Sequence, residues 1–254
     1  MEWKITHIDE TDSTNRWLRN CTGGQSSCAI HEVVWADYQT AGRGQGTNTW
    51  ESERGRNLLF SLLIHPAAVK ASEQFSISMA MWLAIVDALS TFVAEGLSIK
   101  WPNDIYWRDR KLCGILIECS LSGQHIRDCI IGVGLNVNQE CFLSDAPNPV
   151  SLRQILAHEL DREALLKRIL DAFTPDEVDA ARYRSLLYRR EGLHPYRDAD
   201  GPFEARLVTV EPDGHLILID VNGRQRRYAF KEVSFEIPKS RDSEAASRNS
   251  EIPV

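Results

Sequence analysis

The sequence lacks the marks of several function classes. Its six cysteines, at 21, 28, 113, 119, 129 and 141, include no Cys-X-X-Cys pair, and its seven histidines show no metal-ligand spacing. That argues against a zinc site. Cys113, Cys119 and Cys129 lie in apolar runs and read as buried free thiols of a reducing compartment, not as a disulfide framework. There is no basic surplus: 29 Lys and Arg stand against 36 Asp and Glu, a net charge of −7. General nucleic-acid binding needs the opposite footprint. The start, MEWKITHIDE, has no apolar segment behind a basic end, so no signal peptide is expected. No run approaches the roughly 18 apolar residues of a membrane span. These absences predict a soluble, cytoplasmic protein. A P-loop is missing too, and the one glycine-rich loop is followed by a strand-like run, which excludes a Rossmann fingerprint. No internal repeat is present.

What is there is a globular composition, 43% hydrophobic over 254 residues, enough for one large domain and a small one. Trp3–Ile8, Glu32–Asp37 and Asn57–Ile64 read as strands. Asp12 or Ser13 caps a helix through Leu18 that stops near Gly23-Gly24. Ser72–Glu95 carries apolar residues at three- and four-residue spacing, and Gly96 is its expected end. Strands follow at Ser98–Trp101, Ile105–Trp107, Leu112–Cys119 and Cys129–Val137. Two successive hairpins favour an antiparallel or mixed sheet. Helices are expected over Arg162–Phe173 and Asp176–Arg190, split at Thr174-Pro175. The texture changes at Gly192. Short alternating strands then run from Pro202 to Ile237, with an Asn222-Gly223 hairpin signal, and predict a small β-barrel. The tail from Lys239 has no periodicity and reads as disordered.

Three segments carry candidate chemistry. In YQTAGRGQGTNTW (Tyr38–Trp50), Gly42, Gly44 and Gly46 alternate with Arg43 and Gln45. Glycines let backbone N–H groups approach an anion, Arg43 can clamp a carboxylate or phosphate, and Trp50 can stack on a ring. In KWPNDIYWRDRKLCGILIE (Lys100–Glu118), Lys100, Asn103, Asp104 and Lys111 crowd against a buried strand. Charges so placed are costly unless paired, and an anionic ligand is the simplest partner. Joining a carboxylate to ATP needs such cations, because charge grows on the phosphoryl oxygens in the transition state. The competing reading is a solvated surface hairpin. In GVGLNV (132–137), two glycines within a strand imply a close neighbour, and Asn136 offers a donor and an acceptor.

These motifs, with DSTN (12–15) before them and in this order, resemble biotin–protein ligases over about residues 8–137, and more weakly to about 237. The resemblance implies an α/β (α+β) fold: a mixed sheet flanked by helices, related to class II aminoacyl-tRNA synthetases. A catalytic domain over 1–191, an SH3-like barrel over 192–238 and a tail over 239–254 follow from it. It implies synthesis of biotinyl-5′-AMP from biotin and ATP with Mg²⁺, then transfer of biotin to one lysine of a carboxylase carrier domain. By resemblance, Ser13, Thr14, Asn15 and Gln39 line the biotin site. Arg43, Gly44 and Gln45 cover biotin and its activated carboxylate, and Gly114 and Leu116 bring backbone against it. Lys111 is the charge-stabilising catalytic lysine, with Arg43 and Asp104 as catalytic partners. Asn48, Trp50, Lys100, Asn103 and Asn136 meet the nucleotide. Asp104 lies near Mg²⁺ and the incoming amine.

Two departures stand out. Many family members carry further arginines where this chain has Gln45, Gly46 and Asn48, so either the intermediate is held less tightly or Arg54 or Arg56 substitutes. The first catalytic strand begins near residue 3, which leaves no room for the DNA-binding domain of bifunctional members, so neither DNA nor a membrane is an expected partner. A monomer and a homodimer are both compatible. The alternatives are a lipoate or octanoate ligase on a related fold, a ligand sensor without turnover, and a structural module.

Overall fold

The apolar runs assemble into one mixed sheet. The computed structural model describes residues 2–21, 31–143 and 148–237. Strands β1 (Trp3–Thr11), β2 (His31–Gln39), β3 (Leu58–Ile64), β4 (Leu97–Lys100), β5 (Asp104–Trp107), β6 (Arg110–Ser122) and β7 (His125–Leu135) take the order β1-β2-β3-β7-β6-β5-β4. Only β1–β2 is parallel, with helix α1 (Thr14–Cys21) in the connection that a parallel pair requires. The other pairs are antiparallel.

Strand alternation separates two faces. Val33, Trp35, Phe60, Leu62, Ile115, Ile131, Val133 and Leu135 join the main core with helix α2 (Phe75–Ser90). Twelve residues of α2 are buried, as expected of a helix that is apolar nearly all round. On the other face, Leu18 of α1 packs with Val34, Leu63 and Ile130. Helices α3 (Leu152–Leu156), α4 (Arg162–Ala172) and α5 (Ala180–Ser185) follow. Leu165, Leu166, Ile169 and Leu170 of α4 are buried in the main core. Asp161 caps α4 by accepting from the amides of Glu163 and Ala164.

Several boundaries differ from the sequence reading. The expected helix over 72–95 stops at Ser90, where the Ser90 and Thr91 hydroxyls turn back onto the Val86 and Ala88 carbonyls. Gly96 does not end it; it sits at the entry to β4 with φ 88°. The second long helix shrinks to α5, capped by Asp179, and Pro175 does not start it. The stop at Gly23-Gly24, Cys28 and the tail from Lys239 lie outside the described residues.

The small C-terminal unit, over which the sequence predicts short strands of a barrel, carries a five-stranded antiparallel sheet among the described residues. Strands β8 (His194–Asp198), β9 (Gly201–Val210), β10 (Leu216–Asp220), β11 (Gln225–Tyr228) and β12 (Ser234–Phe235) take the order β11-β10-β9-β8-β12. Gly223 turns the β10–β11 hairpin with φ 80°, as the Asn-Gly signal requires. This sheet docks through aromatic residues. Trp101 Nε1 donates to Gly214 O at 2.9 Å, and Phe230 meets the Trp101 ring edge-on at 5.4 Å. No helix among the described residues is long and apolar enough to cross a membrane.

Candidate active site

A cavity of about 400 Å³ opens on the α1 face of the sheet, beneath the glycine-rich loop. Its floor is made by strand positions without side chains. Gly114 and Gly134 are register partners on β6 and β7, and Gly132 lies opposite Leu116. A Cβ on Gly114 or Gly134 would come within 2.7 or 2.4 Å of the Trp50 indole, and one on Gly132 within 2.1 Å of Asn15 Oδ1. The glycines therefore let an indole and an amide lie directly on the backbone.

One end of the cavity is a hydrogen-bond network at the start of α1. Ser13, Thr14 and Asn15 are each 3% exposed. Gln39 Oε1 accepts from the Thr14 amide at 2.8 Å and from its hydroxyl at 3.1 Å. Ser61 Oγ, within apolar β3, lies 2.7 Å from Thr14 Oγ1 and 2.6 Å from Asn15 Oδ1. Asn15 Nδ2 donates to Glu118 Oε2 at 2.9 Å. Burial would raise the Glu118 carboxyl pKa, but hydrogen bonds from Asn15 and Arg19 and the charges of Arg19 and Arg43 hold it below the usual range.

The other end is charged. Lys111 Nζ pairs with Asp104 Oδ1 at 2.7 Å, and Lys100 Nζ lies 4.0 Å from Asp104 Oδ2. The β5–β6 ladder steps from Ile105↔Cys113 to Tyr106↔Lys111, which takes up the extra residue Leu112. A one-residue step changes the face that a side chain takes. Lys111 thus stands over Gly114, with its Nζ 3.4 Å from a Cβ built there and 5.5 Å from the Trp50 ring centre. Burial holds Lys100 below the usual lysine range; Asp104 opposes that shift and Lys111 adds to it. Lys100 also faces the rings of Phe235 and Tyr106.

The loop over both ends is closed on itself. Gly44 N donates to Asn48 O at 2.8 Å and Trp50 N to Gly42 O at 3.0 Å. Gly42 is required there, because a Cβ would sit 2.6 Å from Trp50 O. Arg43 reaches Glu118 at 3.4 Å.

The residues named from sequence thus meet in one place. Ser13, Thr14, Asn15, Gln39, Arg43, Gly44, Gln45, Asn48, Trp50, Lys100, Asn103, Asp104, Lys111, Gly114 and Leu116 all line the cavity. Asn136 does not. It ties the end of β7 to the following segment: its Nδ2 donates to Val150 O at 3.1 Å, and its carbonyl accepts from Leu152 N at 3.0 Å. Asp104, the residue expected near magnesium, has one carboxylate oxygen paired with Lys111 and the other 4.0 Å from Lys100. Arg54 pairs with Glu10 and Arg56 with Glu159, and neither lines the cavity. Sequence reasoning did not single out Ser61 and Glu118, which hold Asn15 from behind, or the C-terminal residues Lys231, Val233, Ser234, Phe235 and Ile237, which complete the wall.

Residues 8–136 match the model of the biotin/lipoate A/B protein ligase family. The biotin–[acetyl-CoA-carboxylase] ligase of Paracoccus denitrificans is 32% identical over 223 residues, covering 85% of this chain and 90% of that protein. The bifunctional ligase/repressor BirA of Bacillus spizizenii is 28% identical, covering 87% and 70%. The chain spans 54% to 70% of the length of such bifunctional relatives. The biotin protein ligase of Aquifex aeolicus, solved with biotin and ATP, superposes with a TM-score of 0.75 at 23% identity, covering 92% and 99%.

Proposed function

The chain belongs to the biotin/lipoate A/B protein ligase family, and we propose that it activates biotin with ATP and passes it to a lysine of a biotin carboxyl carrier domain. The carrying observation is the Lys111–Asp104 pair at 2.7 Å in the same cavity as the Ser13–Asn15 network. One end offers donors and acceptors for the cyclic urea of biotin. The other offers a fixed cation where its carboxylate meets a nucleotide.

In the first step a carboxylate oxygen attacks the α-phosphorus of ATP, the bond to the bridging oxygen breaks, and pyrophosphate leaves. Lys111 opposes the charge that grows on the phosphoryl oxygens. In the second step a neutral lysine amine attacks the carbonyl carbon of the mixed anhydride. The C–O bond breaks, AMP leaves with the electron pair, and the nitrogen loses its proton. Asp104 holds Lys111 and is the one carboxylate among the described lining residues that can accept a hydrogen bond from the incoming amine. Arg43 releases Glu118 to cover the activated carboxylate. Trp50 gives the adenine a stacking face. The catalytic unit spans 1–191, and the C-terminal domain over 192–238 contributes Lys231, Val233, Ser234, Phe235 and Ile237 to its wall.

The family also includes lipoate ligases. The buried polar network of Ser13, Thr14, Asn15, Gln39 and Ser61 favours biotin, since it offers donors and acceptors that a cyclic urea can use and an acyl chain cannot. Incubation with ATP, Mg²⁺, labelled biotin and a carrier domain should release pyrophosphate and label one carrier lysine. Labelling by lipoate and not by biotin would overturn the assignment.

A further inference from the structure

We infer that Lys231 is a polyphosphate-binding cation of this site, supplied by the turn between β11 and β12 of the C-terminal sheet. The inference rests on the proposed use of ATP and names the residue that grips its phosphates.

Four cationic residues line the cavity: Arg43, Lys100, Lys111 and Lys231. Arg43 is paired with Glu118, and Lys100 and Lys111 share Asp104. Among the described residues, Lys231 has no carboxylate within ion-pair distance. Its ammonium lies directly over the glycine-rich loop: a Cβ built on Gly46 would be 2.6 Å from Lys231 Nζ and 3.4 Å from its Cε. Any side chain at position 46 would therefore displace it. The lysine thus places a positive charge against the backbone of the glycine-rich loop.

The backbone supports the assignment. Lys231 has φ 71°, in the left-handed region that non-glycine residues rarely occupy. Such strain persists only where the surroundings impose it, and it gathers at ligand clamps. Here the surroundings are tight. Ala229 N donates to Glu232 Oε2 at 2.7 Å, Glu232 N donates to Ala229 O at 3.3 Å, and Phe230 rests on Trp101. The turn is thereby bolted to the KWPND segment that also carries Lys100 and Asp104. A lysine ammonium is a compact point charge, suited to a polyphosphate rather than to a planar carboxylate.

The direct probe is inorganic tripolyphosphate, titrated calorimetrically against the full chain at low salt. Lys231→Met should weaken its binding about tenfold, or about 1.4 kcal/mol. Lys231→Gly should weaken it equally while unfolding no earlier than the parent, because glycine relaxes the strained φ. Lys231→Arg should retain binding within about twofold of the parent. In turnover, Lys231→Met should raise the KM for ATP by the same factor and leave the KM for biotin unchanged. Binding that survives Lys231→Gly, or a KM for biotin that rises in step with that for ATP, would overturn the inference. Tripolyphosphate binding is read without biotin, so a failure of the proposed ligase activity would show separately, as absent carrier labelling by the parent.

Discussion

Lys111→Met removes the ammonium that pairs with Asp104 but keeps most of the side chain's length and apolar bulk. Two effects should follow, and the structure separates them. Asp104 is 7% exposed and loses its partner at 2.7 Å. Breaking a fully buried pair costs about 3–5 kcal/mol. Here Lys111 is 28% exposed and Lys100 remains 4.0 Å away, so a loss of about 1–3 kcal/mol is expected. Adenylate formation should fall about 100- to 1,000-fold, the scale of a lost transition-state donor. The double variant Asp104→Asn/Lys111→Met has no orphaned carboxylate and should regain most of the stability while staying slow. Urea denaturation reads the first effect, and single-turnover pyrophosphate release reads the second. Normal pyrophosphate release by Lys111→Met, or recovered release in the double variant, would refute the role given to this lysine.

Gln39→Leu leaves the Thr14 amide and hydroxyl without their acceptor; the cost of an unsatisfied buried group, about 1–3 kcal/mol, should appear in biotin binding by calorimetry and not in ATP binding. Glu118 contributes stability that is present above the unfolded carboxyl pKa and lost as pH falls through its lowered folded value. The acid limb of unfolding below about pH 4.3 should therefore be shallower in Glu118→Gln. Cys119 and Cys129 face each other across β6 and β7 with Sγ atoms 3.0 Å apart. A mild oxidant should join them, seen in mass spectrometry as the loss of two hydrogens, while buried Cys113 stays free.

How much was legible depended on what kind of signal each residue carried. Strands β3, β6 and β7 were readable because continuous or alternating apolar runs end at turns. Helix α2 was readable in kind but not in extent, because Val93 continues the apolar spacing while packing from a turn beyond Ser90. Helix α3 is too short for periodicity, yet Ser151 and Gln154 form a capping box that its sequence displays. The site motifs were readable as residue types, but their convergence was not, since Asn15 and Gly132 meet only across the α1 face. Ser61 had a usable signal, a single hydroxyl inside NLLFSLLI. Lys231 had none, because a lysine in a polar turn announces neither its left-handed backbone nor the cavity it enters. Asn136 carried a signal with two readings: its Nδ2 ties down a chain segment, a job that donors do as well as ligand binding, while its buried Oδ1 has no partner among the described residues.

The division of labour across β6 and β7 explains why the site can tolerate its own cost. Glycine inside a strand weakens it by about 0.5–1 kcal/mol relative to alanine. Gly114, Gly132 and Gly134 sit on one face of two adjacent strands, where they bare the backbone beneath Trp50 and Asn15. The opposite face of those strands carries Cys113, Ile115, Ile131, Val133 and Leu135, all buried with α2. Burying one such side chain stabilises by about 1.5–3 kcal/mol. The period-two geometry of a strand thus lets one face stay rigid while its neighbour is stripped for ligand contact. The same logic places Lys111: the ladder step at Leu112 moves one cation from the packed side to the bared side, while Leu112 itself remains in the core.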